Sequence, residues 1–386
     1  MLRSYRFLIL GSMLTACSGG GMLTDLAAPN GAALSERNDA SVFGGGFGGA
    51  VYSQTNAATG NAVLVYHRAA NGTLTAAGTL ATGGNGSGSG LGSQGSVTLS
   101  DDGDWLFVVN AGSNDVSSFS VDGNGSLTLR GRASSGGTTP ISVASHDNLL
   151  YVVNTDGAGN IAGLRVRHDG SLVAIPGSSR PLSAAGSGPA EVSFDPSGSW
   201  LVVTEKNTNM IDTWRVGDEG FARDRVVNVS AGMTPFGFTF TSRGVLAVTE
   251  AFGGAVDASA VSTYTINRNG TLSAITKSAP TTETAACWIA ATNNGKFVYA
   301  ANTGSASVTG YDVRDGRLSI LNADGKTGNA GTTPIDVAMT QNSQVLYGLN
   351  AGAHTISIFG VSQSNGGLSA NGSVTVPAGA VGLAAK

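Results

Sequence analysis

An internal period constrains this chain more than any other feature. A short apolar run ending in Asn or Glu recurs seven times, as in Leu106-Phe107-Val108-Val109-Asn110, Leu150-Tyr151-Val152-Val153-Asn154 and Leu201-Val202-Val203-Thr204-Glu205. The other four runs end at Asn56, Glu250, Asn302 and Asn350, and successive ends lie 44 to 54 residues apart. A second β-patterned run follows each, and a turn such as Gly125-Ser126-Leu127 or Gly170-Ser171-Leu172 opens a third. Ahead of each apolar run except the first lies one more strand, often opened by proline: Pro140, Pro189, Pro235 and Pro334. Four short strands per repeat, seven times over, predict an all-β, seven-bladed β-propeller of four-stranded antiparallel blades. Near-continuous apolar runs suit strands buried on both faces between stacked blades. The strand missing from the first repeat is expected at residues 376–384, where the C-terminus would close the ring and protect its sheet edges.

Composition agrees and excludes alternatives. Glycine, 58 of 386 residues, is about twice its ordinary share of ~7%; it supplies the positive-φ turns that hairpins need. It follows no three-residue period and proline numbers only 10, so a collagen helix is excluded. A net charge of −4 with 12% charged residues offers no basic stripe, so nucleic acid is not an expected partner. No His/Cys spacing suggests zinc, and neither a metal nor a cofactor is expected.

The N-terminus reads as a targeting segment. Arg3 and Arg6 precede an apolar stretch at 7–14 that is too short to span a bilayer. Leu14-Thr15-Ala16-Cys17 then resembles the bacterial lipobox, which implies that Cys17 is acylated and anchors the mature chain to a membrane. An ordinary secretory signal with a chance cysteine is the other reading. Ser18 after the cysteine implies outer-membrane sorting, with the protein periplasmic or surface-exposed. The expected organisation is a signal with lipobox cysteine at 1–17, a Gly-rich tether at 18–48 and a propeller at 49–386.

Phe194-Asp195-Pro196-Ser197-Gly198 and turns such as Asp169-Gly170-Ser171-Leu172 resemble the lactonase-family propellers. That family includes bacterial 6-phosphogluconolactonases and fungal carboxymuconate cyclases, and the resemblance covers about residues 49–386. Thr234-Pro235-Phe236-Gly237-Phe238 and Ala285-Ala286-Cys287-Trp288 are similar to a secreted bacterial subgroup. The family's enzymes carry Gly-Pro-Arg-His ahead of the Phe-x-Pro strand, with Arg and His implicated in the chemistry. Here Gly188-Pro189-Ala190-Glu191 stands in that place, and Glu205-Lys206 replaces the Asn-Glu that follows. The Pro-His of other family blades is Pro140-Ile141 and Pro334-Ile335 here. The resemblance therefore implies the fold without the cationic clamp or the imidazole.

In a propeller the first strand of each blade lines the central channel. The second residue after each proline gives a ring of Ser96, Ser142, Glu191, Gly237, Trp288, Asp336 and Gly379. Ser142, Glu191, Trp288 and Asp336 are the candidate ligand floor: acids for hydroxyl or cationic groups, indole for a sugar or aromatic face. Glu191 and Asp336 are also the candidate catalytic pair, should one carboxyl have a raised pKa. A solvated channel whose acids bond to water and backbone is the competing reading. Glu205, Lys206 and Glu250, at strand ends where other repeats carry Asn and Ala, join the candidate ligand-binding set; ordinary inter-blade hydrogen bonds are the alternative there. Cys287 lies in an apolar run whose repeat contains no histidine, which favours packing over nucleophilic chemistry. Two functions fit. One is a lipid-anchored propeller that binds a sugar, a lactone or a protein; the missing Arg-His pair favours it. The other is a lactone hydrolase or cycloisomerase with a rebuilt acidic site.

Overall fold

The computed structural model describes residues 46–386; Cys17 and the residues expected to form the signal and most of the tether lie outside the described residues. Seven antiparallel sheets follow one another, and all but the first are laid down from the inner strand outward. The inner strands are Val97–Leu99 (blade two), Thr138–His146 (three), Pro189–Phe194 (four), Pro235–Phe240 (five), Ala286–Ala291 (six) and Pro334–Met339 (seven). Blade one takes its inner strand from the chain end: Val381–Ala385 pairs with Phe47–Gln54, with Tyr52 opposite Ala384 and Val51 opposite Ala385. The ring closes as expected, but the closing strand begins at Val381 rather than Val376. Pro377 opens an exposed turn instead, and Gly379 has φ +84 within it. In blades three and six the outer strand is split into two short pieces on the same neighbour.

Burial follows position in the blade. Second strands such as Leu246–Glu250 and Phe297–Asn302 are buried throughout, whereas outer strands such as Leu127–Ser134 are largely exposed. The recurring glycine turn has a structural cause. Its carbonyl accepts a hydroxyl from the preceding blade at all seven interfaces. Tyr52, Tyr151, Tyr299 and Tyr347 reach Gly125, Gly220, Gly366 and Gly72 at 2.7–2.8 Å. Ser118, Thr213 and Thr263 reach Gly170, Gly270 and Gly316, each at 2.6 Å. These glycines all have positive φ, and a Cβ on Gly220 would lie 2.4 Å from Leu149 of the neighbouring blade. A side chain there would be strained and would push the blades apart.

The blade-to-blade connections share one face of the ring, the upper face, with the turns between second and third strands. Five of these connections, and the turn leading into the closing strand, are three to seven residues long; the one from blade one to blade two is fifteen, 82–96.

Candidate site in the central channel

A repeated bulge sets the ring. Pro189 pairs with Glu205 and Glu191 with Thr204, so Ala190 is the extra residue; the same skip occurs at Pro140/Ser142, Ala286/Trp288 and Pro334/Asp336. The extra residue turns into the core, as with Ala190 and Cys287, which are fully buried. The residue after it meets the next inner strand. Ser142 Oγ accepts the Val192 amide at 3.2 Å, and Glu191 Oε2 accepts the Phe238 amide at 2.6 Å. Asp336 accepts the Val337 amide at 2.8 Å, and the Leu383 amide of blade one also acts on this carboxyl to lower its pKa. Leu383 occupies the place that Val192 and Phe238 hold in their blades, so the ring residue of blade one is Gly382. Gly379 was expected there, three residues earlier.

Ser142, Glu191, Trp288 and Asp336 thus stand at one level of the ring, all buried. Burial pushes both carboxyls well above their ordinary range, against the lowering effect of the amides they accept; the charge of Asp336 raises Glu191 further.

The long connection covers this level. Its first part is clamped on the upper face: Gly86 and Gly88 donate to Ala57 and Asn56 carbonyls at 2.8 and 2.9 Å, and Asn56 Nδ2 donates to Ser89. A Cβ on Gly86 would fall 2.1 Å from the Asn56 backbone, so only glycine fits that approach. The chain then dips into the channel. Leu91 packs against apolar clusters from several blades. Ser93 Oγ donates to the Ile141 carbonyl at 2.7 Å, and the Gln94 amide to the Ala190 carbonyl at 3.0 Å. The Gln94 carboxamide fills the space left by Gly237, where a Cβ would lie 2.3 Å from its Oε1. It accepts the Ile289 amide at 3.0 Å and donates to the Ile289 and Phe238 carbonyls at 2.9 and 3.3 Å. Trp288 Nε1 donates to the Ser93 carbonyl at 2.9 Å, its ring 4.9 Å from that of Phe236.

Lys206 belongs to the same cluster. Its Nζ donates to the Gly92 carbonyl at 2.6 Å and sits 4.8 Å from the centre of the Phe236 ring. Burial without a paired anion lowers its pKa to about 8. Glu205 and Glu250 face elsewhere. Glu205 accepts the Ser183 amide at 2.8 Å and the Thr208 hydroxyl at 2.6 Å. Glu250 accepts the Gly232 amide at 2.8 Å, the Ser278 hydroxyl at 2.7 Å and the Ser262 hydroxyl. They tie their strand ends to the connection arriving from the preceding blade and to groups of their own blade, as Asn110 bonds Asp115 and Ser117 and Asn302 bonds Ser307 and Thr309. His146, at the lower end of its inner strand, lies 3.2 Å from Asp101. Among the described residues no group of three or more His, Cys, Asp or Glu is arranged to hold a metal.

Sequence reasoning missed the strap, residues 82–96. The readable signal was length: the longest spacing between repeats, 54 residues from Asn56 to Asn110, contains it.

The arrangement offers an ammonium, an indole N–H and a backbone amide as donors beside a Phe-Trp pair, with two carboxyls at the same ring level. Such a set can hold an oxygen-rich ligand.

Comparison with known proteins bears on the fold and the family. A protein of Bacteroides uniformis, provisionally described as a 6-phosphogluconolactonase, is 17% identical with a TM-score of 0.71, over 87% of this chain and 99% of its own. A Bacteroides fragilis protein of the same provisional description is 20% identical at 0.67, over 88% and 98%. The periplasmic gluconolactonase of Pseudomonas aeruginosa is 19% identical at 0.68, over 87% and 99%. No curated protein matches. The family described as "Lactonase, 7-bladed beta-propeller" matches residues 59–175 and 97–381, and the chain belongs to it.

Proposed function

We propose that this chain is an envelope propeller, held to the outer membrane through acylated Cys17, that binds a sugar acid or its lactone in the central channel without turning it over. One observation carries the reading. At the place where the family resemblance puts Arg-His, Ala190 is fully buried with its carbonyl bonded to Gln94, and the Glu191 carboxyl caps the Phe238 amide. Neither residue can present a cation or an imidazole to a substrate. The ligand class is supported by the donor set around Lys206 and Trp288, and by the description of the Pseudomonas aeruginosa relative as a gluconolactonase.

The test is a lactone-hydrolysis screen on the chain from Ser18 onward, beginning with glucono-δ-lactone. Hydrolysis at the spontaneous rate, with a thermal shift from the lactone or its acid, is the expected result. Turnover that Glu191→Gln abolishes in a folded protein would instead establish the hydrolase reading, which family membership favours. Anchoring is tested separately: Cys17→Ser should release the protein from the membrane fraction or leave its precursor unprocessed. Full membrane retention of a normally processed variant would refute it.

A further inference from the structure

Three donors in the channel meet three carbonyl-type oxygens from consecutive residues. Lys206 Nζ bonds the Gly92 oxygen at 2.6 Å, Trp288 Nε1 the Ser93 oxygen at 2.9 Å, and the Ile289 amide the Gln94 Oε1 at 3.0 Å. Opposite them, the carbonyls of Ala190, Phe238 and Ile289 accept the N–H groups of Gln94. The strap segment is bound as a ligand would be, through its own acceptors and donors and against the Phe236-Trp288 face.

We propose that Lys206, Trp288 and the Ile289 amide form the recognition site for the carboxyl and hydroxyl oxygens of an aldonic acid or its lactone, and that residues 91–94 are a built-in competitor occupying that site. The proposal rests on the sugar-acid reading given above.

The chain around the strap makes the competition physically workable. The clamp at 85–89 lies on the upper face, on the turns of blades one and two: Gly86 and Gly88 on Ala57 and Asn56, and the Gly112 amide on Asn85. On the other side, Gly95 and Ser96 join the ladder through the Val143 and Val109 amides. Between these fixed points the channel bonds belong to residues 92–94, so their release breaks no inter-strand pair. Gly90, Gly92 and Gly95 supply the backbone freedom, and Gly95 already has φ +77. A ligand with several oxygens can re-form the bonds that the strap gives up. Its apparent affinity falls only by the fraction of molecules in which the site is vacated. Charge favours the exchange. The strap offers Lys206 a neutral carbonyl, and burial lowers the amine to about 8. A carboxylate in the place of the Gly92 oxygen would pair the ammonium and raise its pKa back toward the ordinary lysine value.

The experiment uses the chain from Ser18 onward as wild type, Gln94→Ala and Leu91→Gly/Gln94→Ala, with Lys206→Met added to each. The probes are gluconate and a synthetic peptide Gly-Leu-Gly-Ser-Gln-Gly that copies residues 90–95, read by calorimetry and by hydrogen exchange at the Ile289 amide. Removing the Gln94 carboxamide deletes three bonds of the competitor. Gluconate should therefore bind the opened variants at least about tenfold more tightly than wild type, which corresponds to about 1.4 kcal/mol. Lys206→Met should abolish that binding, and the peptide should bind only the opened forms. Gln94→Ala alone covers the case in which the double variant fails to fold. Equal gluconate affinity in wild type and opened protein would overturn the competitor while leaving the sugar-acid reading standing. Peptide binding without gluconate binding would overturn the ligand class and uphold the competitor. Binding of neither probe to a folded, opened variant would overturn both.

Discussion

Asp212 in blade four offers a sharp test of how burial acts on charge in this protein. It is fully buried beside Glu205, with Arg225 Nε 3.6 Å away. Burial first, and then the Glu205 carboxylate, raise its pKa to about 8, while Arg225 opposes them. In the unfolded chain an aspartate titrates near 3.9, roughly its model-peptide value. Below that pH both states hold the proton and the folded state keeps its full stability. As pH rises from about 4 the unfolded state releases its proton first, so stability falls until the folded carboxyl also ionises near 8. The slope is at most about 1.4 kcal/mol per pH unit, which amounts to up to about 4 kcal/mol lost by pH 7. Asp212→Asn removes this proton from the balance. In urea titrations the variant should match wild type near pH 4 and exceed it progressively toward pH 8. Glu191, Asp336 and Glu250 shift in the same direction and act in both proteins, so the difference between the two curves reports Asp212 together with its interaction with Glu205. A difference that stays constant from pH 4 to pH 8 would refute the reasoning.

Two further outcomes test the ring itself. Tyr151→Phe removes a hydroxyl that donates to the Gly220 carbonyl and accepts the Ala222 amide, both buried. It should cost about 1–3 kcal/mol in urea unfolding, with the Ala222 amide losing hydrogen-exchange protection; an unchanged midpoint would show that the interface closes without it. Deleting residues 381–386 removes the inner strand of blade one and leaves Phe47–Gln54 as an unpaired edge facing the channel. That truncation should abolish cooperative unfolding or drive aggregation, and a soluble, cooperatively folding product would refute the closure argument.

What could be read in the sequence was whatever repeats. The seven apolar runs, the Pro-led strands and the glycine turns each recur because every blade solves the same packing problem, and that recurrence fixes blade count, closure and the ring level of Glu191 and Asp336. The strap repeats nowhere. Its Gly-Ser composition reads as a loop, and its path depends on bonds to Lys206 and Trp288, 114 and 195 residues away. No local signal encodes such contacts, and only the surplus length of one connection betrays them. The closing strand was displaced for a related reason. Pro377 imitates the prolines that open other inner strands, but the positive φ of Gly379 keeps the chain in a turn until Val381.

The ring also separates two kinds of polar group that look alike in a sequence. Ser142 and Glu191 perform the same task in adjacent blades, each accepting an amide of the next inner strand. A neutral hydroxyl and a carboxyl that burial holds toward its neutral form do the same work there, so what these two positions use is an acceptor and not a charge. Gln94 serves in the same way where Gly237 has no side chain. Glu191 is therefore accounted for by the architecture, and its presence does not by itself argue for acid-base chemistry. Lys206 and Trp288 differ: their N–H groups satisfy no inner-strand partner and bond only to the inserted strap. Donors that the ladder does not need, gathered beside a Phe-Trp pair, are the groups for which the fold alone gives no reason. Recognition in this propeller is consequently sought at the donors and not at the carboxylates.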